Sequence, residues 1–346
     1  MRFFVGACLI VSMCFGSTAT AVAANTGNPA YTDPSQTDAD FPFQGEYVGT
    51  ITHDGQPLQF GVQVTALGDG TFEPVAYPGG LPGAGWTPPN KIKGKGARAG
   101  DGHSAVVKLE GVDWGGVTRT GEIRTLDGST AIVVQSESGS EIAKLPKVNR
   151  KSPTLGQEPP STAVVIFDGA GPTNEKETLE SARITADGLL MEGVTTKGTY
   201  GDGLWHIEFC LPYQPKDRGQ GRGNSGAYVQ GCYEVQMLDS FGLEGKNNEC
   251  GGVYSVAAPS VNMCLPPLQW QTYDIDFTAP RFDGEKKVAN PRMTVRHNGV
   301  VIQDNVEVPK ITPGGPQQQE RPTGPLHLQN HGNPVRYRNI YFQPKS

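Results

Sequence analysis

Glu234, Gln236 and Asp239 crowd into one short run, YEVQMLDS at 233–240, with no lysine among them. A carboxylate can take or give a proton, and an amide can orient a substrate hydroxyl. Read with the period of two that a β-strand imposes, Tyr233, Val235 and Met237 form an apolar stripe. Cys232, Glu234 and Gln236 take the opposite face, and a kink after Met237 would bring Asp239 round to join them. Neighbouring runs repeat the pattern. In LWHIEFC at 204–210, Trp205, Ile207 and Phe209 face a core and leave His206, Glu208 and Cys210 on the other side. In TYDIDF at 272–277, Tyr273, Ile275 and Phe277 alternate with Asp274 and Asp276. In LHLQNH at 326–331 the leucines alternate with His327 and Gln329, and His331 follows. Such faces suit acid–base work on a polar small molecule, although an antiparallel sheet also leaves one face to water.

The elements that carry these residues are strands. Gly 46 and Pro 28 in 346 residues are too many for a helical protein, because both weaken helix interiors. Short alternating runs, divided by Gly, Pro, Asn and Asp, fill the chain, which makes it all-β. Residues 1–24 read as a secretory signal: Arg2, an apolar run, then small residues ending at Ala23 and Ala24. The mature protein is therefore expected to be exported, to the periplasm or beyond. No other run approaches the ~20 apolar residues of a membrane span. Residues 25–42 form an exposed arm. Residues 43–149 contain short strands with Asp-Gly turns at 54–55, 69–70 and 127–128, a small antiparallel barrel or sandwich. The Pro- and Gly-rich insert at 78–89 carries Trp86, which reads as a pin for that loop, with a sugar-stacking platform as the alternative. Residues 150–162 form a linker, and 163–346 a second domain with strands enough for a two-sheet sandwich.

Loss of the signal leaves Cys210, Cys232, Cys250 and Cys264. An even number in an exported chain favours disulfides, read as Cys210–Cys232 across strands and Cys250–Cys264 as a loop clamp. The alternative is free thiols beside Glu234, one of them a nucleophile. There is no CxxC, so a structural zinc site is not expected and no metal is assigned. Pairs such as Asp274 with Asp276, Glu208 with His206, or Asp239 with His331 allow a divalent cation without requiring one. A net charge of -6 gives no footprint for nucleic acid.

Several runs occur in a telling order: GRGNSGAY at 221–228, YEVQMLDS at 233–240, NECGGVY at 248–254, WQTYDID at 270–276, HNG at 297–299, GPLHLQNHGNPV at 324–335 and RNI at 338–340. This series resembles the 3-keto-disaccharide hydrolase family, the domain also called DUF1080, over residues 163–344. It departs at Cys232, where an arginine is commoner. The resemblance implies a concanavalin A-like jelly roll and action on glycosides whose sugar carries a ketone at C3. That ketone acidifies the C2 proton, so a base can remove it and expel the C1 aglycone, after which water adds. Glu234 is then the candidate base, Gln236 an orienting or enolate-side donor, and Asp239 and His331 candidates for acid or support. His206, Glu208, Tyr228, His327 and Gln329 are the candidate substrate contacts. The alternative is a carbohydrate-binding protein without catalysis, since jelly rolls serve lectins equally.

Overall fold

The computed structural model describes residues 27–345, apart from positions 54, 114, 127, 137 and 170–177. The expected signal at 1–24 lies outside the described residues. Eight strands close the first unit into an antiparallel barrel in simple sequence order: β1 (Gly45–His53), β2 (Gln56–Gly68), β3 (Thr71–Pro78), β4 (Ile92–Ala99), β5 (Val106–Val112), β6 (Thr118–Leu126), β7 (Ser129–Gln135) and β8 (Glu141–Val148). At the β2–β3 turn Asp69 and Gly70 both take positive φ, 53° and 74°, the two-residue hairpin conformation that Asp-Gly favours. Tyr47, Val64, Phe72, Val107, Ile123 and Leu145 pack against one another inside the barrel.

The second unit is a jelly-roll sandwich. Its strands are β9 (Val164–Phe167), β10 (Leu179–Glu180), β11 (Leu190–Met191), β12 (Val194–Thr196), β13 (Gly203–Cys210), β14 (Ser225–Val229), β15 (Tyr233–Met237), β16 (Trp270–Thr278), β17 (Arg281–Asp283), β18 (Lys286–Ala289), β19 (Arg292–His297), β20 (Val300–Glu307), β21 (His327–Leu328) and β22 (Arg336–Pro344). One sheet runs β10-β12-β21-β14-β15, and the other β11-β22-β13-β16-β19-β20 with β9 on β22. The stripes expected from alternation meet between them. Tyr233, Val235 and Met237 from the first sheet pack with Trp205, Ile207, Phe209, Tyr273, Ile275 and Phe277 from the second.

The segment between the units is docked rather than loose. Ser152 and Thr154 hydrogen-bond Thr272 on β16, and the Thr154 hydroxyl donates to Asp274 at 2.8 Å. Asn339 donates to the Gln157 carbonyl and to Glu208. Arg150 pairs with the buried Glu46 of β1 and donates to Pro82 O. The N-terminal arm is also tied down: Tyr31 exchanges two backbone hydrogen bonds with Tyr213, whose hydroxyl donates to Asp38. Trp86 packs edge-on against Tyr77 at 5.1 Å and donates to Asn90 O, which pins its loop.

Two sequence expectations are corrected here. The four cysteines among the described residues are unbridged thiols. Cys210 ends β13, paired with Trp270 and Arg336, whereas Cys232 precedes β15 in the facing sheet. Packed sheets stand about 10 Å apart, beyond the Cα separation a disulfide spans. Burial pushes both of these thiols up to about 12, which removes the nucleophile alternative as well. Cys250 sits 3.1 Å from the Tyr273 hydroxyl and interacts with Cys264, which also turns to the Leu238 and Leu265 carbonyls, so the two thiols expected to form the loop clamp are neighbours but unbridged. The second correction concerns His206 and Glu208. They lie on β13, in the sheet facing that of β15, beneath the docked segment and out of water.

His206 joins two carboxylates, with Nδ1 2.6 Å from Asp274 and Nε2 3.6 Å from Glu208. Burial opposes its charge, but the two carboxylates outweigh burial and raise its pKa. Burial likewise opposes charge on Glu208, while hydrogen bonds from His206, Asn339 and Arg338 overcome it and bring the carboxyl to about 2. The imidazolium's contribution is complete below its unfolded value and fades as pH rises through the folded one; the carboxylate's is complete above its unfolded value and fades toward pH 2. His206→Leu should therefore cost about 3 kcal/mol, as removal of one partner from a buried ion pair does. Its melting-temperature deficit against wild type should be largest near pH 5–6.5 and shrink in alkali. A deficit that grows steadily above neutral pH would contradict this ion-pair account.

Candidate functional site

The outer face of β15 is built from small-residue neighbours that give its polar side chains room. β14 pairs with β15 so that Tyr228 stands opposite Glu234 and Gly226 opposite Gln236. A Cβ on Gly226 would collide with Glu234 Oε1, so glycine there lets the carboxyl lean across the strand. A turn at 312–315 covers this face. Gly314, at φ 85°, lets the turn approach the Tyr228 hydroxyl, where a Cβ would come within 2.8 Å. On the other edge Gly251–Ala257 lies along β15, with Gln236 N donating to Gly252 O and Tyr254 N to Glu234 O.

These covers bury Glu234 to 2 % exposure. Its Oε2 accepts from Tyr228 at 2.8 Å, and its backbone N–H donates to Thr312 Oγ1. Burial raises the carboxyl to about 8, against the opposing pull of the Tyr228 hydrogen bond. Tyr228 also reaches Pro313 O at 2.9 Å and accepts from Gln329 at 3.3 Å. Its single proton can serve either the carboxylate or the carbonyl. An ionised Glu234 draws that proton; a neutral Glu234 can donate to Tyr228, which then turns to Pro313. The pair thus offers a stable hydrogen-bond arrangement for either charge state near neutral pH.

A cavity of about 150 Å³ opens over this carboxyl, lined by Gln220, Asn224, Tyr228, Glu234, Gln236 and Tyr254 and closed by Pro313, Gly314, Gln329 and His331. Gln236 donates to Gln220 Oε1, and Gln220 donates to Asn248 O, which fixes both amides. Gln236 Oε1, Asn224 Oδ1 and His331 Nδ1 are buried without a protein partner. Unpartnered buried polar atoms are costly, and three gathered in one cavity beside a carboxyl mark a place for a hydrogen-bonding ligand. Two of them are amide oxygens, which accept from hydroxyl groups.

The structure brings Glu234, Gln236, His331, Tyr228 and Gln329 together. Asp239 stands outside the cavity, held by Arg222 Nε at 2.6 Å and 3 % exposed. His327 flanks the cavity: it hydrogen-bonds Thr195 and lies 6.0 Å from the Tyr228 ring, and burial lowers it to about 4. His206 and Glu208 belong to the opposite sheet. Gln220, Asn224 and Tyr254 were not singled out from sequence. Asn224 and Tyr254 fall within the ordered motifs at 221–228 and 248–254, so their positions carried the signal; Gln220 lies just outside. Among the described residues no three His, Cys, Asp or Glu side chains gather closely enough to hold a metal ion.

The outer face of the jelly roll thus presents a desolvated carboxyl beside unpartnered amide oxygens. Residues 162–343 match the 3-keto-alpha-glucoside-1,2-lyase-like domain, and the chain belongs to that family. Three candidate glycosyl hydrolases from Parabacteroides distasonis have similar structures. One is 32% identical, covering 54% of this chain and 85% of its own, at a TM-score of 0.48. The others are 18% and 16% identical, covering 53% and 48% of this chain and 99% and 85% of theirs, at 0.36 and 0.35. No curated protein matches the chain.

Because the Glu234 pKa is raised by folding, its contribution to stability is complete below about 4.5 and is lost as pH rises through about 8. Glu234→Gln should melt close to wild type at pH 5 and several degrees above it at pH 9. A gap that does not change with pH would show that the carboxyl is solvated. Gly226→Ala, which displaces the carboxyl without removing it, should lower any activity of this cavity at least tenfold while changing the melting temperature less than His206→Leu does.

Proposed function

We propose that the protein is an exported enzyme that cleaves 3-keto-glycosides, 3-keto-disaccharides among them, in the cavity over Glu234. The observation that carries this reading is the desolvated carboxyl among unpartnered hydroxyl acceptors, in a chain of this family. Substrate hydroxyls would donate to Gln236 Oε1 and Asn224 Oδ1. Ionised Glu234 takes the C2 proton, and the C2–H electrons become the enolate of the C3 ketone. As the enolate collapses, the C1–O bond breaks, C1=C2 forms, and the aglycone oxygen takes a proton from His331 or from Glu234. Water then adds at C1 and a proton returns to C2, a net hydrolysis. The amide nitrogen of Gln236 is engaged by Gln220, so Gln236 acts as a positioning residue rather than an enolate donor. A base with its pKa near 8 is well matched to this work, since it is basic when ionised and is ionised in part at neutral pH.

Incubation with a 3-keto-disaccharide should release both sugars, with a rate that rises with pH to a limb near 8. Glu234→Gln should lower kcat by about 10²–10⁴-fold, the usual worth of a positioned proton-transfer group. No release from any 3-keto-glycoside, or full activity in Glu234→Gln, would defeat the proposal. Glycan binding without turnover, unaffected by that change, would describe a lectin instead. Export rests on the signal-like segment, and mass spectrometry of the secreted protein should find a mature N-terminus just after Ala23 or Ala24.

A further inference from the structure

The barrel contains a cavity of its own, about 180 Å³, to which the sandwich contributes no residue. Its walls are Ile51, Phe60, Val62, Leu109, Ile132 and Val134, and Ile142 at its rim is 53 % exposed. An eight-stranded barrel has an interior just wide enough to be filled by side chains or to hold one small ligand. Here one half is filled, by Tyr47, Phe72, Val107 and Ile123. The other half is left open by glycines on the inner wall: Gly94 of β4 is the register partner of Gly111 of β5, and Leu109 of β5 that of Gly121 of β6. Gly111 does not have a positive φ, and a Cβ there would meet nothing closer than Lys93 O at 3.3 Å. Close backbone approach demands glycine at Gly94, where a Cβ would lie 2.5 Å from Glu110 O, whereas at Gly111 the neighbouring strand would need to give by only a few tenths of an ångström. What glycine supplies there is space.

The occupant follows from the walls. Because the barrel is closed, an inserted peptide would find no strand edge, and its N–H and C=O groups would go unpaired. Among the described residues at the mouth, Arg119 pairs with Asp113 at 2.8 Å and Glu110 with Lys95 at 3.3 Å, so these charges are already matched and do not recruit an ion. A dry apolar cavity of about 150 Å³ accepts benzene in another protein, so this one has room for a small ring system. We propose that the barrel is a binding module for a compact, neutral aromatic molecule, independent of the sandwich cavity.

Calorimetry of the full chain with indole as probe tests this. Wild type should bind at micromolar to millimolar indole, with intermolecular NOEs to methyl groups of Val62, Ile132 and Val134. Val134→Phe, which places a ring in the space, should weaken binding at least tenfold while keeping a cooperative melt; if it does not fold, the smaller Ala76→Leu carries the same expectation. Glu234→Gln should bind as wild type does, so failure of the catalytic reading leaves this one standing. Absence of binding, NOEs confined to the sandwich, or unchanged affinity in a folded filled variant would overturn the proposal.

Discussion

A carboxyl group withdrawn from water needs something to justify its charge, and at Glu234 that something is a single tyrosine hydroxyl. Most of the construction around β15 serves this arrangement. Gly226 makes room for the carboxyl, Gly314 lets the covering turn approach Tyr228, and Gly251–Ala257 closes the free edge of the strand. Each element excludes water without supplying a countercharge. The result is a carboxyl near pKa 8 that can change charge state at little cost, because Tyr228 can redirect its proton to Pro313. Proton transfer to carbon asks for such a group, whereas a carboxylate paired with arginine would be held ionised and weakly basic.

The molecule contains that contrast within itself. Asp239 is held by Arg222, and Glu208 is held by His206, Asn339 and Arg338. Those carboxylates bind parts of the fold together. The Glu208 cluster fastens the segment after the barrel onto the outer face of one sheet, whereas the outer face of the other sheet carries the cavity over Glu234. The two polar faces of the sandwich thus differ in their charge partners: Glu208 is held by His206, Asn339 and Arg338, whereas Glu234 has a tyrosine hydroxyl alone.

Alternation along single strands was legible in the sequence, since the stripes of β13, β15 and β16 all reach the core between the sheets. Alternation assigns a side chain to a face of its own strand and is silent on which sheet receives that strand. This is why His206 and Glu208 could be read as neighbours of Glu234 although a core of aromatic rings separates the two sheets. The same silence made Cys210 and Cys232 look like cross-strand partners. Their disulfide was inferred from a shared face on consecutive strands, with compartment and parity in its favour, and none of these says which sheet receives a strand. Gln220, Asn224 and Tyr254 come from irregular segments, where no period marks the inward side. Their contribution is set by how the chain folds back over β15. The barrel, by contrast, was visible through its Asp-Gly turns, but its unfilled half was not, because a glycine in a strand gives no sign of whether it bends the strand or vacates space.

The claim on which the account rests is that the cavity over Glu234 is where a keto-sugar is held for proton removal. A crystal structure of Glu234→Gln with a 3-keto-disaccharide tests it most directly. The account predicts the keto ring in this cavity, its C2 about 3–3.5 Å from the side chain at position 234, a reactive separation, with ring hydroxyls on Gln236 Oε1 and Asn224 Oδ1. A sugar bound only elsewhere, or one seated here with C2 turned away from position 234, would contradict it.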